Sequence, residues 1–223
     1  MQHKRKIVII LISWAFSLSA AAQVKFSLAT DFSVQRSLRK EQQYWSFGQT
    51  VTTHFHFTPK DGAYAWLVYY SNGKFNNNLT ATAKSAAITP QQISYRNNAA
   101  LSFRQVSVGW RHYFAGDAVS EEKLSVYGYA GFGLMLGKVI NAHSQNIDTS
   151  DYQVPVLAGT ANFKRLTIDL GLGAERPIGG DVYLYAEARL YVPASDYPSR
   201  YILINNNAPL AASANIGFRI LFN

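Results

Sequence analysis

The chain has 223 residues, 48% of them hydrophobic and only 15% charged, with no cysteine and a formal charge of +8. The lack of cysteine excludes disulfides, thiolate metal sites and thiol redox chemistry. Three basic residues, Lys4, Arg5 and Lys6, lie in an N-terminal leader, so the remainder carries 18 basic and 13 acidic residues, a net +5 too modest to point to nucleic acid.

That leader continues with an apolar run from Ile7 to Leu18 and the small residues Ser19, Ala20, Ala21 and Ala22 before Gln23. The pattern is that of a secretory signal peptide over 1–22, cleaved after Ala22. Its apolar run falls short of the ~20 residues of a membrane helix. Residues 23–223 then read as one domain without linker or low-complexity tract.

Strict period-two alternation predicts eight strands. The first, from Val24 to about Ser33, sets Val24, Phe26, Leu28 and Phe32 outward and Lys25, Ser27, Ala29 and Asp31 inward. The second, Tyr44 to Phe57, sets Trp45, Phe47, Val51, Phe55 and Phe57 outward and His54 and His56 inward, and a tight turn with Pro59 and Asp61-Gly62 follows. The third, Ala63 to Ser71, is assigned Tyr64, Trp66, Val68 and Tyr70 on the outward face. The fourth, about Leu101 to Phe114, turns Gln105, Ser107, Gly109, Arg111 and Tyr113 inward, with Arg104 in the outward phase at its upper end.

The fifth strand, Leu124 to Gly137, alternates Phe132, Leu134 and Leu136 with Tyr127, Tyr129, Gly131, Gly133 and Met135. The sixth, about Phe163 to Arg176, sets Leu166, Ile168, Leu170 and Leu172 against Arg165, Thr167, Asp169, Gly171, Gly173 and Glu175. The seventh, Val182 to Val192, opposes Leu184, Ala186, Ala188 and Leu190 to Tyr183, Tyr185, Glu187, Arg189 and Tyr191. The last, Ala212 to Phe222, carries Ile216, Phe218, Ile220 and Phe222 on one face and Ser213, Asn215, Gly217 and Arg219 on the other. Short turns near 58–62, 115–123 and 177–181 alternate with long loops near 34–43, 72–100, 138–162 and 193–211.

An all-β, antiparallel up-and-down barrel crossing a membrane explains this pattern, with short periplasmic turns, long extracellular loops and both termini in the periplasm. Were the non-apolar face exposed to water it would be too rich in tyrosine, glycine and serine and too poor in charge for a soluble surface. The 72–100 segment either extends a hairpin above the membrane or adds a strand pair, which would make ten strands. Phe55, Phe57, Trp66, Trp110, Phe114 and Phe222 fall near the short-turn ends and are expected to form an aromatic girdle.

With this leader, this alternation and the terminal phase of Ile220 and Phe222, the chain resembles the small outer-membrane β-barrel proteins, the OmpA transmembrane domain and OmpX type, within the wider porin-like group. The resemblance spans residues 23–223, rests on architecture and includes no family-specific motif. It implies bacterial outer-membrane localisation, contact with outer-membrane lipid and recognition of the C-terminal strand by the barrel-assembly machinery.

Inward Lys25, Asp31, Arg111, Asp169, Glu175, Glu187, Arg189 and Arg219 are mixed in sign, as a paired polar core requires in a lumen just wide enough for side chains. The inward glycines are expected to receive Tyr183, Tyr185 and arginine side chains from opposite walls; otherwise they would leave a narrow solute path. His54 and His56 share a face but lack a third ligand, so no metal or cofactor is expected. His143, Ser144, Asp148, Ser150 and Asp151 cluster in the third long loop, and His112 faces lipid. Proximity in sequence does not supply a nucleophile touching a base, so no catalytic residue is assigned. Basic residues Arg36, Arg39, Lys40, Lys74, Lys84 and Arg96 in the first two long loops could meet lipopolysaccharide phosphates or could be a solvated surface.

The leading expectation is a non-enzymatic outer-membrane barrel that presents loops for envelope structure or for contact with lipid or an envelope protein. The alternative is a small passive pore; a lipid A-modifying enzyme or a subunit of a secretion or assembly complex ranks below it.

Overall fold

A computed structural model describes residues 24–121, 123–195 and 198–222; the expected signal peptide lies outside them. The strands, in chain order, are β1 (Lys25–Ser37), β2 (Trp45–His56), β3 (Asp61–Ala83), β4 (Gln92–Ala115), β5 (Ser125–His143), the two-residue β6 (Tyr152–Gln153), β7 (Gly159–Gly179), β8 (Val182–Pro193) and β9 (Ala211–Phe222). Eight of them form a closed antiparallel ring in which chain neighbours are sheet neighbours and β1 pairs with both β2 and β9. Within the ring, closure leaves no free sheet edge and satisfies the ladder all round. Strand β6 stands outside the ring, pairing Tyr152 and Gln153 with Ala83 and Thr82 at the far end of β3.

The outward face is an apolar belt. Phe32, Phe47 and Phe132 are 73%, 70% and 71% exposed, and Val51, Val106, Val108, Leu134, Leu170, Leu172, Ile216 and Phe218 join them around the ring. A water-soluble monomer rarely shows a contiguous apolar patch beyond a few hundred Å². A belt supplied by every wall suits hydrocarbon, where each side chain meets its own kind.

One predicted face is inverted. Tyr64, Trp66, Val68 and Tyr70 of β3 are all buried in the lumen, while Leu67 and Tyr69 point outward at 54% and 51% exposure. Both faces of this strand are apolar, so periodicity offers no polarity to orient it. Register does: Tyr64 lies opposite His54, Trp66 opposite Thr52 and Val68 opposite Thr50, and opposite residues share a face. Trp66 therefore leaves the expected girdle. The other five, Phe55, Phe57, Trp110, Phe114 and Phe222, remain exposed, with Phe57 stacked on Trp110 at 5.4 Å. Phe26 bridges Phe55 and Phe222 at 5.5 and 5.6 Å, tying the first and last strands together at the short-turn end.

The strands also outrun their apolar stretches. The segment 72–100 is a continuation of the β3–β4 ladder, paired from Gly73↔Leu101 to Thr82↔Gln92, and only residues 84–91 form its tip. The hairpin thus extends beyond the belt and the ring count stays at eight. Asparagine, alanine and threonine carry it because a ladder in water needs no apolar outer face. Consequently Arg36, Lys74 and Arg96, expected in loops, stand on β1, β3 and β4. At the other end Gly116 takes φ +67° where a side chain would strike Ser125, which fixes the β4–β5 turn.

Candidate functional site

Side chains capable of chemistry gather in two places, the lumen and the long-loop end. In the short-turn half of the lumen three arginines meet three carboxylates. Glu187 on β8 is the hub: its Oε2 accepts from Arg189 Nη2 and Nε at 2.7 and 2.9 Å, and its Oε1 accepts from Arg111 Nη2 and the Tyr127 hydroxyl, each at 2.8 Å. Arg189 continues to Asp31 Oδ2 on β1 at 2.7 Å and to Thr50 Oγ1 on β2 at 2.8 Å, and the Tyr185 hydroxyl also donates to Asp31, at 3.0 Å. One connected network therefore links β4, β5, β8, β1 and β2 through the interior.

Nearer the short turns, Arg219 of β9 forms a two-pronged pair with Glu175 of β7 at 2.5 and 3.0 Å, and the Tyr113 hydroxyl donates to the same carboxylate at 2.9 Å. Arg219 Nη2 also donates to the Ala118 carbonyl at 2.8 Å, holding the β4–β5 turn beneath the barrel mouth. Arg111 and Arg219 lie 3.9 Å from the rings of Tyr127 and Tyr183. In low dielectric an unmatched charge is costly, and here each guanidinium meets both a carboxylate and an aromatic face.

Two of the eight expected lumen charges sit differently. Asp169 is held by neutral donors, Gln105 Nε2 at 2.7 Å and Thr167 Oγ1 at 3.0 Å, and not by an arginine. Lys25 is half-buried at the short-turn mouth, opposite His56 in the register and apart from the carboxylate cluster. His54 and His56 stack at 5.9 Å, and His56 Nε2 lies 2.6 Å from Ser27 Oγ. Among the described residues no group of three metal-ligating side chains forms.

The inward glycines are filled, though from nearer than expected. Tyr127 and Tyr129 of the adjacent β5 cover Gly173 and Gly171, while Tyr64 crosses over Gly109 and Gly131. Tyr183 and Tyr185 serve the ion network instead. Above it neutral side chains take over most of the lumen: the Tyr70 and Tyr191 hydroxyls meet at 3.1 Å from opposite walls, packed against Phe103 and Met135. Sequence reasoning left Arg165 out of the network. This fully buried arginine reaches Ala208 O and Asn205 Oδ1, both at 3.3 Å, and so anchors the last long loop into the barrel. Its inward phase on the strand was the signal available.

The long-loop end is similarly occupied. Asn141 Nδ2 donates to Leu157 O and Tyr201 O, joining the third and fourth loops over the mouth. Arg39 reaches Asn207 O at 3.3 Å, and Lys84 Nζ donates to Thr149 O at 2.8 Å, so these two basic residues hold loops to one another. Lys40, Lys74 and Arg96 are exposed, and Arg36 lies 4.9 Å over the Trp45 ring.

The residues suggestive of catalysis are spent on structure. Ser144 Oγ accepts the Arg96 N–H, the His143 ring packs on Tyr95 at 4.6 Å, and Ser150 turns back onto Asp148 Oδ1 at 2.7 Å. The Ser150 hydrogen bonds hold the Asp148 carboxyl below its ordinary range, and burial lowers His143. His112 pairs with Asp61 at 2.8 Å, joined by Trp110 Nε1 at 3.2 Å. None of these imidazoles is hydrogen-bonded to a serine hydroxyl among the described residues.

No protein-family model and no curated protein sequence matches the chain. Solved structures do. Neisserial surface protein A superposes with a TM-score of 0.55 at 10% identity, covering 88% of this chain and 97% of that one. The outer membrane protein OprG from Pseudomonas aeruginosa gives 0.51 at 11% identity, covering 91% and 97%. At such identities what is shared is the fold, and it is shared over nearly the whole of both barrels: this chain has the fold of the small outer-membrane β-barrel proteins.

Proposed function

We propose that this protein is an integral protein of the bacterial outer membrane, non-enzymatic and non-conducting, whose closed barrel presents its long loops outside the cell for contact with lipid or an envelope partner. The observation that carries this reading is the double obstruction of the lumen. An ion network joins β4, β5, β8, β1 and β2 in the lower half, and the Tyr70–Tyr191 contact with Phe103 spans opposite walls above it. An eight-stranded ring has little room left once its inward side chains are in place.

The long-loop end supports the second part. The β3–β4 hairpin projects past the belt, β6 braces its end, and Ala81, Tyr95, Ile147 and Tyr152 give it a small apolar core of its own. A braced hairpin on a rigid barrel offers a defined surface. In this reading the short turns lie in the periplasm, the leader is removed on export, and exposed Lys40, Lys74 and Arg96 face outer-leaflet lipopolysaccharide.

Purified protein in planar bilayers is expected to give no resolvable single-channel steps. A steady wild-type conductance that falls when Glu187→Trp narrows the lumen would overturn the closed-scaffold reading in favour of a passive pore. The enzyme alternative is tested separately: overproduction with unchanged lipid A masses supports the non-enzymatic assignment, whereas an altered mass abolished by His143→Ala refutes it.

A further inference from the structure

On the outer wall, just above the apolar belt at the long-loop end, three cations from three adjacent strands stand together. Arg104 of β4, Leu136 of β5 and Lys164 of β7 lie directly opposite one another in a single cross-strand row, and Tyr69 of β3 pairs with Arg104 at the end of that row. Lys138 sits two residues higher on the middle strand, in a row with Ser102 and Asn162. With neighbouring strands about 4.8 Å apart, Arg104 and Lys164 flank Lys138 in a triangle roughly 10 Å across at its base. The row below is purely apolar: Leu67, Val106, Leu134 and Leu166.

All three cations are exposed, and the Arg104 guanidinium lies 5.7 Å from the Tyr69 ring. Between them runs an outward-facing groove of about 770 Å³ lined by Tyr69, Arg104, Leu136, Lys138, Asn162 and Lys164, among others. The register shift between Tyr70 and Gly73 lies beside this groove, with Asn72 on its wall. Among the described residues, the carboxylate on the outward faces of β3, β4 and β5 is Asp61, at the short-turn end of β3 and away from Arg104 and Lys138.

Water-facing loops have no need of this order. Reading from apolar row to aromatic-and-cationic row to amides, it is the vertical profile of a lipid: acyl chain, interface and charged headgroup. We propose that this groove is a binding site for one phosphorylated outer-leaflet lipid, its phosphates held by Arg104, Lys138 and Lys164 and its acyl chains lying against Leu134, Val106 and Leu166. The site rests on the membrane-spanning reading above. It adds residues to the basic groups at the long-loop end, Lys40, Lys74 and Arg96, and it differs from them in being continuous with the apolar belt. A free phosphate would gain nothing from that continuity, so the commitment is to a lipid.

The test compares the wild-type barrel with the triple variant Arg104→Gln/Lys138→Gln/Lys164→Gln and with a control triple of exposed basic residues at the short-turn end, Lys60→Gln/Lys123→Gln/Arg176→Gln. Each is folded into phosphatidylcholine nanodiscs and titrated with bisphosphorylated lipid A or its dephosphorylated form, with bound lipid counted by native mass spectrometry. The groove variant is expected to bind bisphosphorylated lipid A at least about 10-fold more weakly than wild type, near 1 kcal/mol per basic group being typical at an anionic membrane surface. The control triple and the dephosphorylated lipid should show little of this difference, and millimolar inorganic phosphate should not compete.

Equal binding by wild type and groove variant, an equal loss in the control triple, or full competition by inorganic phosphate would each overturn the site. Failure of the wild type to insert, read from the absence of a heat-modifiable folded band on gels, would instead remove the membrane reading beneath it. The two failures are therefore distinct.

Discussion

The two halves of the lumen are closed by different chemistry. Toward the short turns, three arginines and three carboxylates balance in number and share their ion pairs, and the hub Glu187 is 6% exposed. Toward the long loops, Tyr70, Phe103, Met135, Tyr191 and Leu101 fill most of the cross-section with neutral bulk, beside the buried Arg165 opposite Met135. Charge closure is stoichiometric, since removing one partner strands another in low dielectric. Neutral closure is volumetric and tolerates small losses. The polar half also fastens a turn, through Arg219 and the Ala118 carbonyl, whereas the neutral half is roofed by loops held through Arg165 and Asn141.

Breaking the charged half should have the largest effect. Glu187→Leu leaves Arg189 and Arg111 without their shared carboxylate and is expected to destabilise the folded barrel by about 3–5 kcal/mol, measured by urea unfolding in lipid vesicles. A change within ~1 kcal/mol would mean that water or the tyrosines absorb the charge, and the contrast between halves would collapse. The boundary between the halves gives the intermediate case. A side chain at Gly131 meets the Tyr64 hydroxyl and the Val108 carbonyl, and the latter is backbone that cannot swing aside, so Gly131→Val should cost about 1–3 kcal/mol in the same assay.

The neutral half supplies the smallest effect. Tyr191→Phe removes only the 3.1 Å contact with Tyr70 and keeps the ring, so a loss near 1 kcal/mol is expected, with no appearance of channel steps in bilayers. A loss as large as that of Glu187→Leu would show that the upper half too depends on a polar link across the walls.

Much of this was legible beforehand because lipid and lumen impose opposite polarity on alternate residues. On β7, β8 and β9 the alternation was clean, and Asp169, Glu175, Glu187, Arg189 and Arg219 all point inward as their phase requires. The network itself was only partly legible. Phase says that Asp169 faces the lumen, but only the arrangement of β4 beside β5 and β7 brings Gln105 to it in place of an arginine. Tyr185 reads as filling, and Tyr113 and Tyr127 only as inward-facing; all three prove to be donors to carboxylates.

The sequence by itself determined the period, the outward or inward phase of seven strands, the alternation of short turns with long connections, and the mixed sign of the interior. These are local properties, fixed by what stands next to what along the chain. Tertiary structure decided the rest. The phase of β3 came from its register against His54, Thr52 and Thr50, because Tyr64, Trp66 and Val68 are as apolar as the residues between them. The extended hairpin came from continued pairing of β3 with β4, since Asn76 to Asn78 gain ladder hydrogen bonds that composition does not announce. The triad of Arg104, Lys138 and Lys164 exists only because three strands far apart in sequence are laid edge to edge, and a charge cluster is a property of distances in space that no one-dimensional pattern carries.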